Sequence, residues 1–207
     1  MAEETARLHD IWDKHAADYD RQMRFMDKRL FAGGREWLAE RATGRVLEVA
    51  IGTGRNLRFY PRDIDLTGID LRGETLHFAR ERSERYGVDV ALIEGDGQDL
   101  PFGDETFDTV VAGLCMCNFP DPILAVGEMK RVLKPGGALV ALDHVRSPSL
   151  PVRAVQRAFN GLSVRFMGDH LAREPLEYYA HHGFQILELE RLKWGIVERV
   201  HARKPSN

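Results

Sequence analysis

The alternation of hydrophobic and polar positions divides the chain into an N-terminal helical part and a longer part in which strands and helices follow one another. Between positions 8 and 30, apolar side chains recur every three or four residues, a spacing typical of an amphipathic helix. A second helix is predicted from Phe31 to Arg41, and Gly44 provides the turn that ends it. Short aliphatic and β-branched runs then predict five strands: Arg45–Val49, Asp65–Ile69, Val90–Glu94, Thr109–Ala112 and Ala138–Asp143.

Helical stretches separate these strands, and after the last strand the regular alternation of strand and helix ends. The stretches with helical periodicity are Glu74–Tyr86, Pro122–Leu133 and a long section from about Val152 to His182. Two strand-like runs, Phe184–Leu192 and Val197–Ala202, with Gly195 between them, predict a closing hairpin. Short apolar strands that alternate with helices are typical of a parallel sheet covered on both faces. We therefore predict one α/β domain, since no repeat or linker divides the chain.

Composition and charge exclude several classes of protein. The 207 residues are 43% hydrophobic and 29% charged, with a net charge of −3, which is typical of a globular protein and not of an obligate nucleic-acid binder. No apolar run approaches the ~18 residues of a membrane-spanning helix, and the first residues lack the hydrophobic region of a secretory signal. The only cysteines, Cys115 and Cys117, are too close in sequence for an unstrained disulfide. We therefore expect a cytoplasmic protein without disulfides.

Candidate chemistry lies at the carboxyl ends of the first three predicted strands. The segment V-L-E-V-A-I-G-T-G-R-N (46–56) contains Gly52 and Gly54, which allow a tight turn and a close approach of backbone amides to a ligand. Asp70 ends the second strand, where doubly wound folds place an acid that binds ribose hydroxyls; a helix N-cap is the alternative. Asp96, in G-D-G-Q-D-L-P-F, either accepts from the amine of a base or belongs to a simple β-turn.

Five segments in this order and spacing resemble the class I S-adenosylmethionine-dependent methyltransferases. They are residues 46–54, 67–70, 95–102, 107–119 and 132–139. The chain is most similar to small single-domain enzymes of the ubiquinone/menaquinone-biosynthesis type, and it also resembles bacterial phospholipid N-methyltransferases and mammalian alkyl-thiol methyltransferases. The resemblance implies a Rossmann-like, doubly wound, seven-stranded and mostly parallel sheet, with a C-terminal antiparallel hairpin and an N-terminal helical cap.

The resemblance also implies which residues bind S-adenosylmethionine (SAM), the methyl donor, which leaves as S-adenosylhomocysteine (SAH). Glu48 is expected near the methionine ammonium or in ordering the loop, Asp70 at the ribose diol and Asp96 at the adenine edge. Leu71 is expected against the adenine and Leu114 near the sulfonium. The full predicted set is Tyr19, Glu48, Ala50, Gly52, Thr53, Gly54, Asn56, Asp70, Leu71, Asp96, Gly97, Gln98, Gly113 and Leu114.

Two positions depart from the family pattern. Ala50 stands where similar proteins have glycine, and its methyl group is expected to shift the loop slightly. The stretch 70–74 lacks the small hydroxyl residue that usually follows the acid and the leucine, so the next helix is expected to start differently.

The sequence constrains the methyl acceptor less than the donor. Transfer is an in-line displacement that needs the acceptor held ~3 Å from the methyl group, and it needs no metal. No metal site is predicted, because the histidines are scattered along the chain. His144 follows the fifth strand and is the candidate catalytic base, oriented by Asp143 or Asp169; packing at the strand end is the alternative. Apolar residues within 159–167 either line an acceptor pocket or belong to the core.

The N-terminal stripe has three interpretations. It closes over the cofactor as a lid, with Tyr19 above the pocket, or it rests on a lipid surface through nearby basic residues, or it packs on the sheet. The lipid contact would make the protein peripheral to the inner face of the membrane. We divide the chain into a helical cap (1–42), a cofactor-binding half (43–145) and acceptor-side helices with the final hairpin (146–207).

Three functions remain open on this sequence. A methyltransferase with a lipid amine, thiol or quinol acceptor is favoured. A nicotinamide-dependent oxidoreductase is disfavoured, because the loop has A-I-G-T-G-R and not G-x-G-x-x-G. A domain that binds the cofactor without catalysis is the third. A nucleic-acid substrate is disfavoured, because C-M-C-N-F-P-D-P stands where such enzymes have an Asn-Pro-Pro-Tyr-type loop. The oligomeric state is left open.

Overall fold

The computed structural model describes the backbone of residues 16–31 and 33–206, and the side chains of residues 23–31, 33–165 and 168–206. The helices in this range are α1 (Ala16–Arg29), α2 (Gly34–Glu40), α3 (Gly73–Tyr86), α4 (Pro122–Val132), α5 (Leu150–Met167) and α6 (Pro175–His181). The strands are β1 (Arg45–Val49), β2 (Asp65–Asp70), β3 (Ala91–Glu94), β4 (Phe107–Gly113), β5 (Leu133–His144), β6 (Gln185–Leu192) and β7 (Val197–Arg203).

All of these strands form one sheet in the order β3-β2-β1-β4-β5-β7-β6. Strands β1 to β5 run parallel, and β7 is antiparallel to both of its neighbours. Helices cover both faces of the central strands, which explains why β1 is buried at four successive positions. The strand order changes direction between β1 and β4, and doubly wound sheets bind ligands at such a switch point. The predicted fold class, with its C-terminal hairpin, is confirmed.

Alternate residues of the central strands pack into two hydrophobic cores, one on each face of the sheet. Ala141 of β5 contributes to the core under α4 and α6, and Leu142 contributes to the core under α2 and α3. Successive side chains of a strand point to opposite faces. Asp143 and His144, which end the same strand, are therefore directed to different sides of the molecule.

The predicted strands are all present, and β1 has the predicted bounds. The bounds of the other elements differ from the predictions, most of all in two places. The helical section 152–182 is two helices, because Gly168 has a left-handed φ of 66° that ends α5 and Pro175 begins α6. Strand β5 starts at Leu133 and not at Ala138, and the first part of it is bulged where its register with β4 shifts.

Helix α1 is the described part of the predicted N-terminal stripe; residues 1–15 lie outside the described range. Met23, Met26 and Leu30 pack against the core under α2 and α3. Helix α2 begins at Gly34, three residues later than predicted. Within the residues described, every helix is too short or too polar to cross a bilayer.

Candidate active site

A cleft opens at the carboxyl ends of strands β1 to β4, next to the switch point. Its volume, including the open mouth, is about 1090 Å³. The loops that follow these four strands form its walls, because the carboxyl ends of parallel strands lie at one edge of a sheet. The predicted cofactor residues that line the cleft are Glu48, Ala50, Gly52, Thr53, Asp70, Leu71, Asp96, Gly97, Gln98, Gly113 and Leu114.

Two predicted cofactor residues, Gly54 and Asn56, are outside the lining of the cleft, and a third, Tyr19, cannot be placed. Gly54 has a φ of 75°, and a Cβ on it would lie 2.6 Å from Leu57 and 3.0 Å from the Ala79 backbone of α3. Its role is therefore to let the loop pack against α3. Asn56 is buried behind Glu48 and does not line the cleft. Tyr19 belongs to α1, and its side chain is outside the described part of the structure.

Glu48 is a buried carboxylate in the wall of the cleft. Its Oε2 accepts a hydrogen bond from the Tyr60 hydroxyl at 2.9 Å, and its Oε1 accepts one from the Asn56 amide at 2.7 Å. Burial raises the pKa of Glu48 to about 7, against the lowering effect of these two hydrogen bonds and of Arg35. A cation bound beside this buried carboxylate would favour its ionised form.

Three charged residues that the sequence analysis did not select connect α1 to the cleft. Arg35 of α2 donates from Nε to Asp27 at 2.9 Å, and from Nη1 to Asn56 at 2.8 Å. Arg55 donates from Nη2 to the other oxygen of Asp27 at 2.6 Å. Both arginines line the cleft. Helix α1 is therefore tied through Asp27 to the wall of the cleft, which is the attachment that a lid needs.

Asp70 connects the loops that follow β1 and β2. Its Oδ2 accepts from the Gly52 amide at 2.8 Å, and its Oδ1 accepts from the Thr75 hydroxyl at 3.0 Å. The N-cap of α3 is Arg72, which makes no side-chain capping bond, so Asp70 is not the cap that the alternative interpretation required. A carboxylate accepts about four hydrogen bonds. Oδ1 also accepts from the backbone amide of Arg72 at 3.3 Å, so Asp70 retains capacity for about one further hydrogen bond, at Oδ2, from a hydroxyl group of a ligand.

Asp96 and Gln98 connect the loops that follow β3 and β4. The Gln98 side-chain amide donates to both oxygens of Asp96 at 3.1 Å, and its Oε1 accepts from the backbone of Asp121 at 2.8 Å. Asp121 is the N-cap of α4. A Cβ on Gly97 would lie 2.8 Å from the ring of Phe119, so only glycine fits there without a shift of the ring. The hydrogen bonds from Gln98 hold Asp96, which follows β3, in a defined position at the rim of the cleft.

Two residues of the cleft have left-handed backbones without being glycine. Ala50 has a φ of 55° and Leu114 has a φ of 58°. This conformation crowds the Cβ of an L-residue against the following carbonyl. The resemblance implies glycine at the position of Ala50, and this backbone conformation is the physical reason for that expectation.

Replacing Ala50 with glycine is expected to raise the thermal midpoint of the ligand-free protein by about 2–4 °C. The substitution relieves a strain of about 1–2 kcal/mol and costs about 0.5–1 kcal/mol in chain entropy, leaving about 1 kcal/mol. Differential scanning calorimetry measures the change. The control is Ala158→Gly on the exposed side of α5, which is expected to lower the midpoint. A lowered midpoint for Ala50→Gly would contradict the strain.

His144 is paired with a carboxylate from outside the sheet. Its Nε2 lies 3.0 Å from Oδ1 of Asp169, in the loop between α5 and α6. Burial by itself would lower the pKa of His144. The hydrogen bond to Asp169 and the negative charge of Asp169 have a larger, opposite effect, so the pKa is raised above 6.5. Asp143, the other predicted partner, accepts from the Met116 amide at 3.1 Å, and burial raises its pKa to about 8. The partner of His144 is thus Asp169, and Asp143 holds the loop after β4.

The sulfur of Cys117 lies beside this pair. Ligand atoms of Cys117, His144 and Asp169 are all within 4.8 Å of one another, so the fold gathers a cluster that the scattered sequence positions did not reveal. Burial raises the pKa of the Cys117 thiol well above its usual range, and the two nearby aspartates add to this. Arg173 donates to the same loop, at the carbonyls of Met116 and Phe119, and its positive charge opposes a cation there. We interpret the cluster as an imidazole–carboxylate pair beside a neutral thiol.

The fold and the cleft place the chain among α/β proteins that bind a ligand at the switch point of a doubly wound sheet. Comparison with known proteins shows which family of such α/β proteins the chain resembles. Residues 47–141 match the family described as methyltransferase domain. A SAM-dependent methyltransferase of Thermotoga maritima has a similar structure, with a TM-score of 0.69 and 25% identity, covering 93% of this chain and 99% of that one.

Two curated relatives match parts of the chain. A phosphatidylethanolamine N-methyltransferase of Cereibacter sphaeroides is 43% identical over 117 residues, which is 56% of this chain and 58% of the relative. A demethylmenaquinone methyltransferase of Thermus thermophilus is 35% identical over 132 residues, which is 62% of this chain and 60% of the relative. The chain thus spans about 60% of the length of these relatives. Residues 47–141 match the methyltransferase domain family, and the resemblance found in the sequence is confirmed by this match.

Proposed function

We propose that this protein is a SAM-dependent methyltransferase that acts on a small apolar or amphiphilic acceptor. The observation that carries the proposal is the cleft at the switch point. It is lined by Glu48 of β1, by Asp70 at the end of β2 and by Asp96 in the loop after β3, and these three strands are adjacent. The match of residues 47–141 to the methyltransferase domain family supports the proposal. When bound, SAM supplies an activated methyl group on a sulfonium, so the protein itself has only to bind, orient and exclude water.

The residues of the cleft fit SAM in charge and in shape. Glu48 offers a buried carboxylate to the methionine ammonium, and Oδ2 of Asp70 retains hydrogen-bonding capacity for a ribose hydroxyl. The buried Oδ1 of Asn118 has no hydrogen-bond partner among the described residues, so a donor group of a ligand would satisfy it. At the left-handed turn of Gly52, a Cβ would have no neighbour closer than 3.9 Å, so there is room for a ligand to approach the backbone there.

The pair of His144 and Asp169 is suited to remove a proton from the acceptor. Because Nε2 of His144 faces Asp169, its Nδ1 is the nitrogen that receives the proton. The carboxylate of Asp169 stabilises the imidazolium that results. The loop that contains Cys117 also contains Leu114 and Asn118, which line the cleft, so this base lies close to the cleft wall. Thiols, phenols and ammonium groups are the acceptors that need such a base.

An acceptor screen tests the proposed function. The purified protein is incubated with SAM and with thiols, quinols or phosphatidylethanolamine, and the release of SAH is measured. Release with one class identifies the acceptor. Binding of SAH by calorimetry without turnover on any acceptor would favour the domain that binds without catalysis. Binding of NADH without binding of SAH would overturn the proposal in favour of an oxidoreductase.

The affinity for SAH is expected to rise about tenfold between pH 6 and pH 8. Glu48 has a pKa of about 7 in the ligand-free protein, and only its ionised form attracts the ammonium group. The same shift makes the ligand-free protein lose stability as the pH rises from about 4.5 through 7, because the folded state binds this proton more tightly. Titration calorimetry at several pH values measures the affinity.

Glu48→Gln is the matched variant for this pH dependence, because glutamine keeps the size of the side chain and does not titrate. Its affinity for SAH is expected to be lower and independent of pH. A wild-type affinity that does not change with pH would contradict the placement of the ammonium at Glu48.

We also propose a role for each part of the chain. Residues 43–145 would bind the cofactor, residues 146–207 would shape the acceptor side, and residues 1–42 would cover the cleft. The partner is a small-molecule acceptor and not a nucleic acid. The proposed location is the cytoplasm, peripheral to the inner face of the membrane.

A further inference from the structure

The loop that follows β4, residues 114–120, forms a wall common to the cofactor cleft and the proposed base. Its residues Leu114 and Asn118 line the cleft, and the sulfur of its Cys117 lies beside His144. Leu114 has a left-handed backbone, and the Asn118 amide donates to the carbonyl three residues earlier at 3.0 Å, so the chain turns sharply here. The conformation of this turn therefore determines how the cofactor lies relative to the base.

The side chain of Arg173 joins two points of this loop. Arg173 belongs to the segment between α5 and α6, and its Nη1 donates to the Met116 carbonyl at 2.5 Å and to the Phe119 carbonyl at 2.7 Å. The two carbonyls stand on either side of Cys117 and Asn118 in the chain, so one guanidinium nitrogen holds the turn that contains both. Met116 and Phe119 are buried, and a buried carbonyl needs a hydrogen-bond donor.

The polar side of α5 holds the segment that contains Arg173. Gln156 donates to the carbonyl of Leu171 at 2.9 Å, and Asn160 accepts from the Leu171 amide at 2.9 Å. The carbonyl of Arg173 itself accepts from the Arg146 amide at 3.1 Å, just after β5. The backbone of Arg173 is therefore fixed on both sides, so its side chain reaches the loop after β4 from a defined position.

The apolar side of α5 faces outward. Phe159 and Leu162 are each 57% exposed, and they neither line the cleft nor belong to a hydrophobic core. Both sequence-based interpretations of this helix, an acceptor pocket and a core, are therefore wrong for these two residues. The side chains of residues 166 and 167 lie outside the described range.

Arg173 also acts on His144 through its charge. The titratable and charged groups around His144, from the elements packed against it, are Asp143, Cys117, Asp169, His170 and Arg173. Burial lowers the pKa of His144, the two aspartates raise it, and the positive charge of Arg173 lowers it. Arg173 therefore opposes the effect of Asp169 on the proposed base.

We propose that Arg173 is a positioning residue, which holds the loop after β4 so that the acceptor contacts the methyl group and His144 at the same time. Arg173 does not line the cleft, and it acts through the carbonyls of Met116 and Phe119 and through its charge. This inference rests on the proposed function, in which His144 removes a proton from the acceptor. A displacement of the loop by about 1 Å misaligns an in-line transfer and costs roughly 100-fold in rate.

Two variants separate the hydrogen bonds of Arg173 from its charge. Arg173→Met removes both, so we expect kcat to fall by about 10- to 100-fold, while the Kd for SAH changes much less. Because a positive charge is lost, the pKa of His144 is expected to rise, and the inflection of kcat moves to higher pH. Arg173→Lys keeps the charge and a donor, so it is expected to restore part of kcat and to leave the pKa of His144 unchanged.

The release of SAH measures kcat, and an NMR titration of the imidazole signals measures the pKa of His144 without turnover. The matched control is Arg62→Met. Arg62 also donates to two backbone carbonyls, those of Tyr86 and Gly87, but it is exposed and holds the C-terminal end of α3. Its loss is expected to leave kcat and the pKa of His144 unchanged.

A kcat and a His144 pKa that both equal those of the wild type in Arg173→Met would overturn the proposal. If only the thermal midpoint falls, Arg173 merely stabilises the fold and the proposal is also overturned. If Arg173→Met does not fold, Arg173→Gln, which keeps a donor without the charge, is measured with the same expectations. A wild type that methylates no acceptor contradicts the proposed function and the role of Arg173 with it, whereas an active wild type matched by the variant contradicts only the role of Arg173.

Discussion

Replacing His144 with glutamine is expected to lower kcat by about 100- to 10,000-fold, because general base catalysis contributes an effect of this size. The affinity for SAH is expected to remain, since His144 does not line the cofactor cleft. The assay measures SAH release with the acceptor found in the screen, and calorimetry measures binding. The matched control is His77→Gln, which removes an exposed imidazole paired with Glu81 on α3 and is expected to leave kcat unchanged.

The pH profile separates catalysis from a structural role of His144. The base must be neutral to act, so kcat is expected to rise as the pH rises through the pKa of His144, which lies above 6.5. In Asp169→Asn the carboxylate that raises this pKa is lost, so the inflection is expected at a lower pH. A histidine that only packs at the strand end would show neither inflection nor shift. If His144→Gln has the same kcat as the wild type, His144 is not the base.

Replacing Asp70 with alanine is expected to raise the Kd for SAH by about 5- to 150-fold. Hydrogen bonds between a charged group and the ribose diol contribute about 1–3 kcal/mol, which corresponds to that range. The variant also removes the acceptor of the Gly52 amide, so disorder of the loop adds to the loss. Titration calorimetry measures the Kd, and the thermal midpoint shows whether the variant is folded.

Asp65→Ala is the matched control for this variant. Asp65 lies at the opposite end of the same strand and forms an exposed ion pair with Arg45 at 3.5 Å, so its loss is expected to leave the Kd unchanged. Equal affinities of wild type and Asp70→Ala would mean that the ribose lies elsewhere in the cleft.

The elements that shape the cleft could be predicted from the chain because their signals are local. The apolar run of β1, the glycines after it and the acid at the end of β2 are each visible within a few residues. Parallel strands bring their carboxyl ends together, so predicting the strands also predicted that Glu48, Asp70 and Asp96 meet at one edge. The resemblance to a family also implied the order of the strands in the sheet and the identity of the ligand, SAM.

Contacts between distant segments could not be predicted in this way. Asp27, Arg35 and Arg55 form one network, but each occupies a position that a solvated charge on a helix or loop would also occupy. The partner of His144 was open between two aspartates until the alternation of β5 directed Asp143 to the other face. The two-residue period of a strand is the signal that could have excluded Asp143 as the partner of His144. Using this signal requires knowing that β5 extends to His144.

By itself, the sequence determined an α/β protein with carboxylates and glycines at the ends of its first three strands, and it contains the segments that resemble methyltransferases. These features depend on hydrophobic period, turn residues and spacing, which are properties of neighbouring positions. Only the tertiary structure decided that Asp169 pairs with His144 and that the apolar side of α5 faces outward. Helical periodicity shows that a helix has two different faces, but the packing of the other elements determines which face is buried.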